Sequence, residues 1–216
     1  EPVHSLSAVA NYALFGLARA NGVKVLLGGQ GADEVFAGYH WYPPLAEPGA
    51  AGLDGAVAAY RAAFFDRDDA GVRALLNPAF HHDGDPSGEL LAEHFARPGA
   101  ATGVDRGLRL DTTVMLIDDP VKRVDNMTMA WGLEGRVPFL DNDLVDFAMR
   151  LPARAKLGNR LKRNVGGWLS MKLRDVLDHD EPFASSGGFN RLNRQFNGEL
   201  EGILSQISEE LWRAAS

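Results

Sequence analysis

A glycine-rich run that ends in two acidic residues is the first part of the sequence that could carry chemistry. It reads Gly28-Gly29-Gln30-Gly31-Ala32-Asp33-Glu34. Three glycines let the backbone approach an anionic ligand, and a helix beginning near Ala32 would add the positive end of its dipole. Asp33 and Glu34 would repel a bare phosphate, but a magnesium ion between carboxylate and phosphate oxygens removes that conflict. The run therefore predicts either a magnesium–phosphate site or a strand-to-helix turn whose acidic residues only favour the helix dipole.

A second charged group lies much later in the chain. Lys122 and Arg123 follow an Asp-Asp-Pro sequence, which predicts the end of one helix and the start of another that contains Asp125. Two cations at a helix start would neutralise the charge that develops on a departing pyrophosphate. Glu134 and Arg136 follow in a turn and extended segment. The alternative is a solvated helix face, with Glu134 and Arg136 paired to brace the turn.

Two other polar segments are weaker candidates for a site. His81 and His82 lie beside Asp83 and Asp85 and could ligate a metal, but a polar loop explains the same residues. The basic run 160–174 could contact phosphate, although a solvated helix face has the same composition.

The segments around the glycine run predict how it is positioned. Apolar residues recur with a helical period from Ser5 to Ala20, with Ser5 as a cap and Gly22 just past the end. Val23 to Leu27 is short and apolar, which is typical of a strand buried on both faces. The order helix, strand, glycine turn, helix places the run at the carboxyl end of a strand, where open parallel sheets bind ligands.

The rest of the chain predicts mostly helices. We divide the sequence into a strand, glycine-turn and helix unit (1–45), a variable helical insertion (46–103), the helices of the second charged group (104–157) and a carboxyl-terminal helical region (158–216). The helices predicted beyond the glycine run are Leu53–Phe65, Leu90–Phe95, Asp111–Ile117, Lys122–Trp131, one from an Asp141 cap to Arg150, and Glu199–Ala214.

Composition places the chain among ordinary soluble globular proteins. Its 216 residues are 45% hydrophobic and 24% charged, and a net charge of −7 argues against general binding to nucleic acid. No window approaches the roughly 20 apolar residues of a membrane span. The absence of cysteine excludes disulfides and thiolate sites in this chain and suits a reducing compartment, so we expect a cytoplasmic protein. Because the first residue is Glu1, we expect the chain to come from a longer protein.

Two long segments resemble the synthetase domain of asparagine synthetases. VLLGGQGADEVFAGY, residues 25–39, is similar to the strand and loop that follow the ATP site in that family. DDPVKRVDNMTMAWGLEGRVPFLDNDLVDFAMRLP, residues 118–152, is similar to the second signature of the same domain. The similarity is closest to bacterial members, including the amidotransferases that act on acetylated glutaminylglutamine dipeptides.

The resemblance implies an α/β fold of the ATP-pyrophosphatase (adenine nucleotide alpha hydrolase-like) type, a doubly wound parallel sheet of which this chain is an incomplete, helix-rich carboxyl-terminal portion. It also implies ATP and Mg²⁺. The family adenylates a carboxylate, usually that of aspartate, with release of pyrophosphate. Ammonia from a glutaminase domain, which is absent from this chain, then forms the amide. The resemblance calls for neither nucleic acid nor a membrane as partner, and it allows a homodimer.

The resemblance also assigns roles to individual residues. Those implied to bind ATP and pyrophosphate are Gly28, Gly29, Gly31, Asp33, Lys122, Arg123 and Asp125, with Asp33 and Glu34 as metal ligands. Those implied to act in catalysis are Gln30, Lys122, Arg123, Glu134 and Arg136.

Three departures from the family pattern leave alternatives open. Gln30 stands where the family often has a glutamate that is discussed as a proton acceptor, and no lysine precedes the Gly188-Phe189 pair by two residues. The nucleotide-gripping SGGxDS loop is not present, because Ser186-Gly187-Gly188 follows no apolar strand. We therefore expect this chain alone to be inactive. The alternatives are a non-catalytic helper domain of the same fold and a β-lactam synthetase-like enzyme that cyclises with an internal amine.

Overall fold

The structure, a computed structural model, describes residues 7–157 of the chain. Its helices are α1 (Ser7–Ala20), α2 (Ala32–Phe36), α3 (Leu53–Phe64), α4 (Asp69–Arg73), α5 (Pro86–Ala96), α6 (Gly103–Leu110), α7 (Lys122–Met129), α8 (Asn142–Arg150) and α9 (Ala153–Lys156). The strands are β1 (Val25–Leu27) and β2 (Glu134–Arg136). None of these helices combines the length and the apolar character needed to cross a membrane. The Ser5 cap, the basic run 160–174, the Ser186-Gly187-Gly188 segment and the helix Glu199–Ala214 lie outside the described residues.

β1 and β2 form a parallel pair, although helices α2 to α7 separate them in sequence. The register places Val25 opposite Glu134 and Leu27 opposite Arg136. Two segments that are far apart in the sequence thus meet side by side, with the glycine run beginning directly where β1 ends.

The two faces of this sheet differ. Gly135 faces α7, since a β-carbon there would lie 3.4 Å from the Thr128 side chain. Side chains of paired residues in parallel strands point to the same face, so Val25 and Leu27 lie on the face away from α7. They are 40% and 46% exposed. The prediction of a strand buried on both faces is therefore wrong for the part of the chain that is described, because β1 is covered from one side only.

One continuous helical rod runs from α6 to α7. Between these helices, Asp111–Met115 and Ile117–Val121 adopt π-helical turns, and Val121 keeps right-handed helical dihedrals up to Lys122. Pro120 lies inside the rod, so the predicted stop at Asp118-Asp119-Pro120 is wrong. Proline breaks a regular α-helix because it lacks the N–H donor and its ring meets the carbonyl four residues back. A π turn shifts the hydrogen bonds by one residue and accommodates the ring.

An aromatic core fills the space between α3, α5, α6 and the segment that follows α2. Tyr42, Tyr60 and Phe95 are completely enclosed, and the rings of Tyr60 and Phe95 pack edge to face with centroids 5.4 Å apart. Burying a side chain of this size contributes about 1.5–3 kcal/mol. The aromatic core therefore holds α3, α5, α6 and the segment after α2 against one another.

Side-chain caps set where several helices begin. The Thr102 hydroxyl accepts from the Asp105 N–H at 3.1 Å, and the Asp105 carboxylate accepts in return from the Thr102 backbone. Asp141 caps α8 by accepting from the Asp143 N–H at 3.0 Å, which confirms the predicted cap. A cap of this kind stabilises a helix by about 1 kcal/mol.

α1 braces the segment that follows α7. The Trp131 indole N–H donates to the Tyr12 carbonyl at 2.8 Å, and the two rings pack with centroids 4.9 Å apart. A β-carbon on Gly16 would lie 2.7 Å from the Trp131 ring, so the glycine permits this close approach. The first helix thereby supports the entry to β2.

Candidate functional site

The glycine loop, residues 28–34, meets the second charged group through backbone hydrogen bonds. The Gly28 N–H donates to the Arg136 carbonyl at 2.7 Å, and the Glu134 N–H donates to the Lys24 carbonyl at 2.9 Å. These bonds extend the parallel sheet to both ends of β1 and β2. The structure therefore brings together two of the sequence segments that were expected to share a site.

Gln30 folds back over the start of the glycine loop. A β-carbon on Gly28 would collide with the Gln30 side-chain oxygen, so a larger residue there would push the Gln30 amide aside. That Oε1 atom is buried and has no hydrogen-bond partner among the residues that the structure describes. An unpartnered buried acceptor costs about 1–3 kcal/mol, so it identifies a place where a donor from a ligand would be favourable.

Gly29 and Gly31 differ in what a side chain would meet. Gly31 has a φ of +90° and lies against Leu140, so a side chain there would be strained and would collide. Gly29 faces open space, because a β-carbon added to it would have nothing within 4 Å. Gly31 is therefore required by the fold, whereas Gly29 leaves room beside the backbone.

α2 begins at Ala32, as predicted, and separates the two acidic residues of the loop. Asp33 stays partly exposed in the first turn and lies so close to Gly38 that a β-carbon on Gly38 would collide with its carboxylate. Glu34 is only 2% exposed and accepts from the Tyr39 hydroxyl at 2.7 Å. Burial, together with the Glu34 carboxylate, raises the pKa of Tyr39. Glu34 therefore acts as a buried anchor for Tyr39.

The sequence predicts that Asp33 and Glu34 bind a metal ion, and it leaves metal binding open as an alternative for His81. Among residues 7–157 there is no group of three or more histidine or acidic side chains arranged to hold a metal ion. Magnesium needs only one or two protein carboxylates when phosphates complete its shell, and the partly exposed Asp33 fits that donor set. His81 instead contacts the Arg73 carbonyl at 3.0 Å, which favours the polar loop.

A carboxylate that the sequence did not single out lies at the centre of the aromatic core. Asp111 is 0% exposed and accepts from the Trp41 indole at 2.9 Å, from the Tyr42 hydroxyl at 2.6 Å and from the Tyr60 hydroxyl. We call these four residues the Asp111 cluster. Burial raises the pKa of Asp111, and the hydrogen bonds oppose that rise. The sequence signal was a single aspartate before an apolar helical stretch, with its donors far away in the chain.

The two cations of the second charged group do not lie at a helix start. Because the rod continues through Pro120, the backbone amides before Lys122 are engaged in helical turns, so the predicted helix start at these two cations is wrong. Arg123 pairs with Asp119 at 3.2 Å, one turn back. Lys122 and Asp125 are exposed. A shared pocket for Lys122, Arg123 and Asp33 stays a prediction.

Glu134 and Arg136 form an ion pair on one face of β2. The Arg136 Nε–H donates to the Glu134 Oε1 at 2.8 Å, and this hydrogen bond lowers the pKa of Glu134. Both side chains are at least partly exposed. The predicted pairing is confirmed, and it keeps two opposite charges together on the same face of β2.

Comparison with known proteins identifies relatives of this chain. The asparagine synthase family model matches residues 1–167. A Mycobacterium bovis protein named "putative asparagine synthetase (glutamine-hydrolyzing)" is 31% identical over 165 residues, covering 62% of this chain and 25% of the relative. Asparagine synthetase (glutamine-hydrolyzing) 2 of Lotus japonicus is 25% identical over 195 residues, covering 88% of this chain and 24% of the relative. The chain thus spans about a quarter of the length of these relatives.

Proposed function

The chain belongs to the asparagine synthase family, whose fold is of the ATP-pyrophosphatase type, and we propose that it supplies part of the synthetase site of an ATP-dependent, amide-forming ligase. The described residues form a helix-rich α/β unit with a small parallel sheet. We further propose that β1 and β2 belong to a doubly wound parallel sheet in the intact protein.

The observation that carries this proposal is the contact between the glycine loop and β2. The bond from the Gly28 N–H to the Arg136 carbonyl joins two distant segments of the chain. The residues of the aromatic core lie between these segments in the sequence. Both segments fall within the residues that the family model matches. In parallel sheets, ligands bind at the carboxyl ends of strands, and both segments leave the sheet at that end.

In the first half-reaction, an acceptor carboxylate oxygen bonds to the α-phosphorus of ATP as the bond to the β-phosphate oxygen breaks and pyrophosphate leaves. The open space beside Gly29 lets backbone N–H groups approach the phosphates. Asp33 would hold Mg²⁺, which offsets charge on the phosphate oxygens when it is bound. Lys122 and Arg123, with Asp125 to orient them, would balance the charge of the departing pyrophosphate.

In the second half-reaction, the nitrogen of ammonia bonds to the acyl carbon, AMP leaves and one proton is released. The buried Gln30 Oε1 would accept a hydrogen bond from ammonia and direct its lone pair. A neutral amide does not take up the released proton, so the proton leaves with AMP or with solvent. Glu134 and Arg136 would hold the acceptor and the α-phosphate at the rim.

The proposed partners follow from this chemistry. They are ATP, a carboxylate such as aspartate, and a glutaminase domain that releases ammonia from glutamine. The names of the two relatives state that they hydrolyse glutamine, and we propose the same nitrogen source for the protein that contains this chain.

The test is the replacement Asp33→Ala in the intact protein. ATP–pyrophosphate exchange that depends on the acceptor carboxylate should fall by at least about a hundredfold, because an interaction with the reacting phosphates is lost. Glutamine hydrolysis should stay nearly unchanged. Asp146→Ala, at an exposed position on α8, is the matched control and should leave both activities intact. Equal exchange rates in the Asp33→Ala variant and the parent would remove Asp33 from the mechanism.

A further inference from the structure

A cavity opens on the surface of the helical region, and none of the residues proposed for the synthetase site lines it. It has a volume of about 670 Å³ and lies between the segment after α2, the end of α3 and the start of α5. Small-molecule sites in proteins commonly measure about 300–1,000 Å³. We call it the aromatic cavity, and its lining residues are His40, Trp41, Ala63, Phe64, Phe65, Asp66, Arg67 and Ser87.

Three aromatic rings form its walls, and each is held in place from behind. The Trp41 indole N–H donates to the buried Asp111 at 2.9 Å, which fixes the ring. Phe64 meets Trp41 edge to face with centroids 5.0 Å apart. The guanidinium of Arg61 lies 5.2 Å from the centroid of Phe65 and also pairs with Asp85. The walls are therefore preformed, which lowers the entropy cost of binding a flat apolar group.

The rim of the cavity carries charges of both signs. Arg67 and Asp66 are exposed neighbours that both line it, and neither forms a hydrogen bond or ion pair with another residue in the described range. His40 and the hydroxyl of Ser87 add further polar groups. A guanidinium suits a carboxylate, and an aspartate suits an ammonium group. The rim thus offers one partner for each end of a zwitterion.

We propose that the aromatic cavity binds a free α-amino acid with an aromatic side chain. The ring stacks among Trp41, Phe64 and Phe65, the carboxylate meets Arg67, and the ammonium group meets Asp66. This site is additional to the proposed synthetase chemistry and needs neither ATP nor metal. Its link to the glycine loop runs through Trp41, whose ring stacks on Tyr39 with centroids 4.0 Å apart, while the Tyr39 hydroxyl donates to Glu34.

The experiment measures binding to the intact protein by calorimetry without ATP, using three probes. L-phenylalanine carries both charges, 3-phenylpropionate lacks the ammonium group, and 2-phenylethylamine lacks the carboxylate. L-phenylalanine should bind saturably and about tenfold more tightly than either analogue, because each analogue loses one charge-assisted contact. Absence of saturable L-phenylalanine binding up to its solubility limit would overturn the proposal, as would equal affinity for all three probes.

Two exposed-residue variants assign the charges without disturbing the core. The Arg67→Gln variant should bind L-phenylalanine only as tightly as the parent protein binds 2-phenylethylamine. The Asp66→Asn variant should bind L-phenylalanine only as tightly as the parent protein binds 3-phenylpropionate. Arg19→Gln, on the exposed surface of α1, is the control and should bind like the parent. Unchanged binding in both cavity variants would refute the assignment. Because no readout uses ATP, failure here leaves the proposed synthetase function untouched.

Discussion

The Asp111 cluster and the glycine loop keep polar oxygens away from water in opposite ways. In the cluster, three side-chain donors converge on one buried carboxylate. In the loop, the buried Gln30 Oε1 has no partner among the described residues. The first arrangement is complete without a ligand, whereas the second leaves hydrogen-bonding capacity unused. This difference fits a stabilising role for the cluster and the binding role proposed for the loop.

The largest effect should come from breaking the cluster. Asp111→Ala leaves the Trp41, Tyr42 and Tyr60 donors buried without an acceptor, so we expect a loss of about 3–5 kcal/mol in the free energy of unfolding. Denaturation by urea measures it. A loss below about 1 kcal/mol, as for an ordinary surface substitution, would mean that the cluster does not hold the core.

One glycine of the loop, Gly31, is needed for the backbone conformation of the turn and has no contact with a ligand in the proposed mechanism. Gly31→Ala places a β-carbon against Leu140 at a φ of +90°, so strain and overpacking should cost about 2–4 kcal/mol in the free energy of unfolding. The same urea titration applies. Wild-type stability in this variant would show that the turn can relax and that the proposed division of roles within the loop is wrong.

A pH series sharpens the description of the cluster. Because burial raises the pKa of Asp111 in the folded state, its contribution to stability is complete below the pKa of an unfolded aspartate and declines as pH rises through the folded pKa. The Asp111→Asn variant has no carboxyl group to titrate at this position, so its stability does not decline for this reason. The stability advantage of the parent over Asp111→Asn should therefore narrow from acidic to neutral pH, measured by urea denaturation at each pH. An advantage that widens with pH would contradict the raised pKa.

The smallest effect on stability should come from Gly29. Gly29→Ala meets nothing within 4 Å, so the free energy of unfolding should change by less than about 0.5 kcal/mol. The added methyl would occupy the space proposed for the phosphates, and the KM for ATP in pyrophosphate exchange should rise by about tenfold. A variant that is stable and has an unchanged KM would argue that this space holds no ligand.

Local sequence signals predicted much of the first segment. The strand, the glycine turn and a helix beginning near Ala32 are all present, with α1 ending at the predicted Ala20. The Asp141 cap and the helix end at Arg150 are confirmed as well. These features depend on propensity, capping and turn chemistry over a few residues, which a single sequence displays directly.

Features that depend on distant residues were missed. The role of Asp111 requires donors from positions 41, 42 and 60, and no local pattern predicts such a convergence. Pro120 was expected to end a helix because an isolated proline usually does, and only the π turns around it explain its place in the rod. Gln30 was singled out by the resemblance to the family, but its buried, unpartnered oxygen is visible only in three dimensions.

The rod also has a consequence for how this part of the chain tolerates insertions and deletions. Each π turn contains one residue more than a regular turn, and one residue corresponds to about 100° of rotation around a helix axis. Both kinds of turn complete about one full rotation, so deleting a single residue between 111 and 121 would convert a wide turn into a regular one and keep the side chains beyond it facing the same way. Val124 and Thr128 would then stay beside Gly135. A residue added without a further wide turn would instead rotate Lys122 and Arg123 by about that angle. This stretch should therefore tolerate the loss of one residue better than the gain of one.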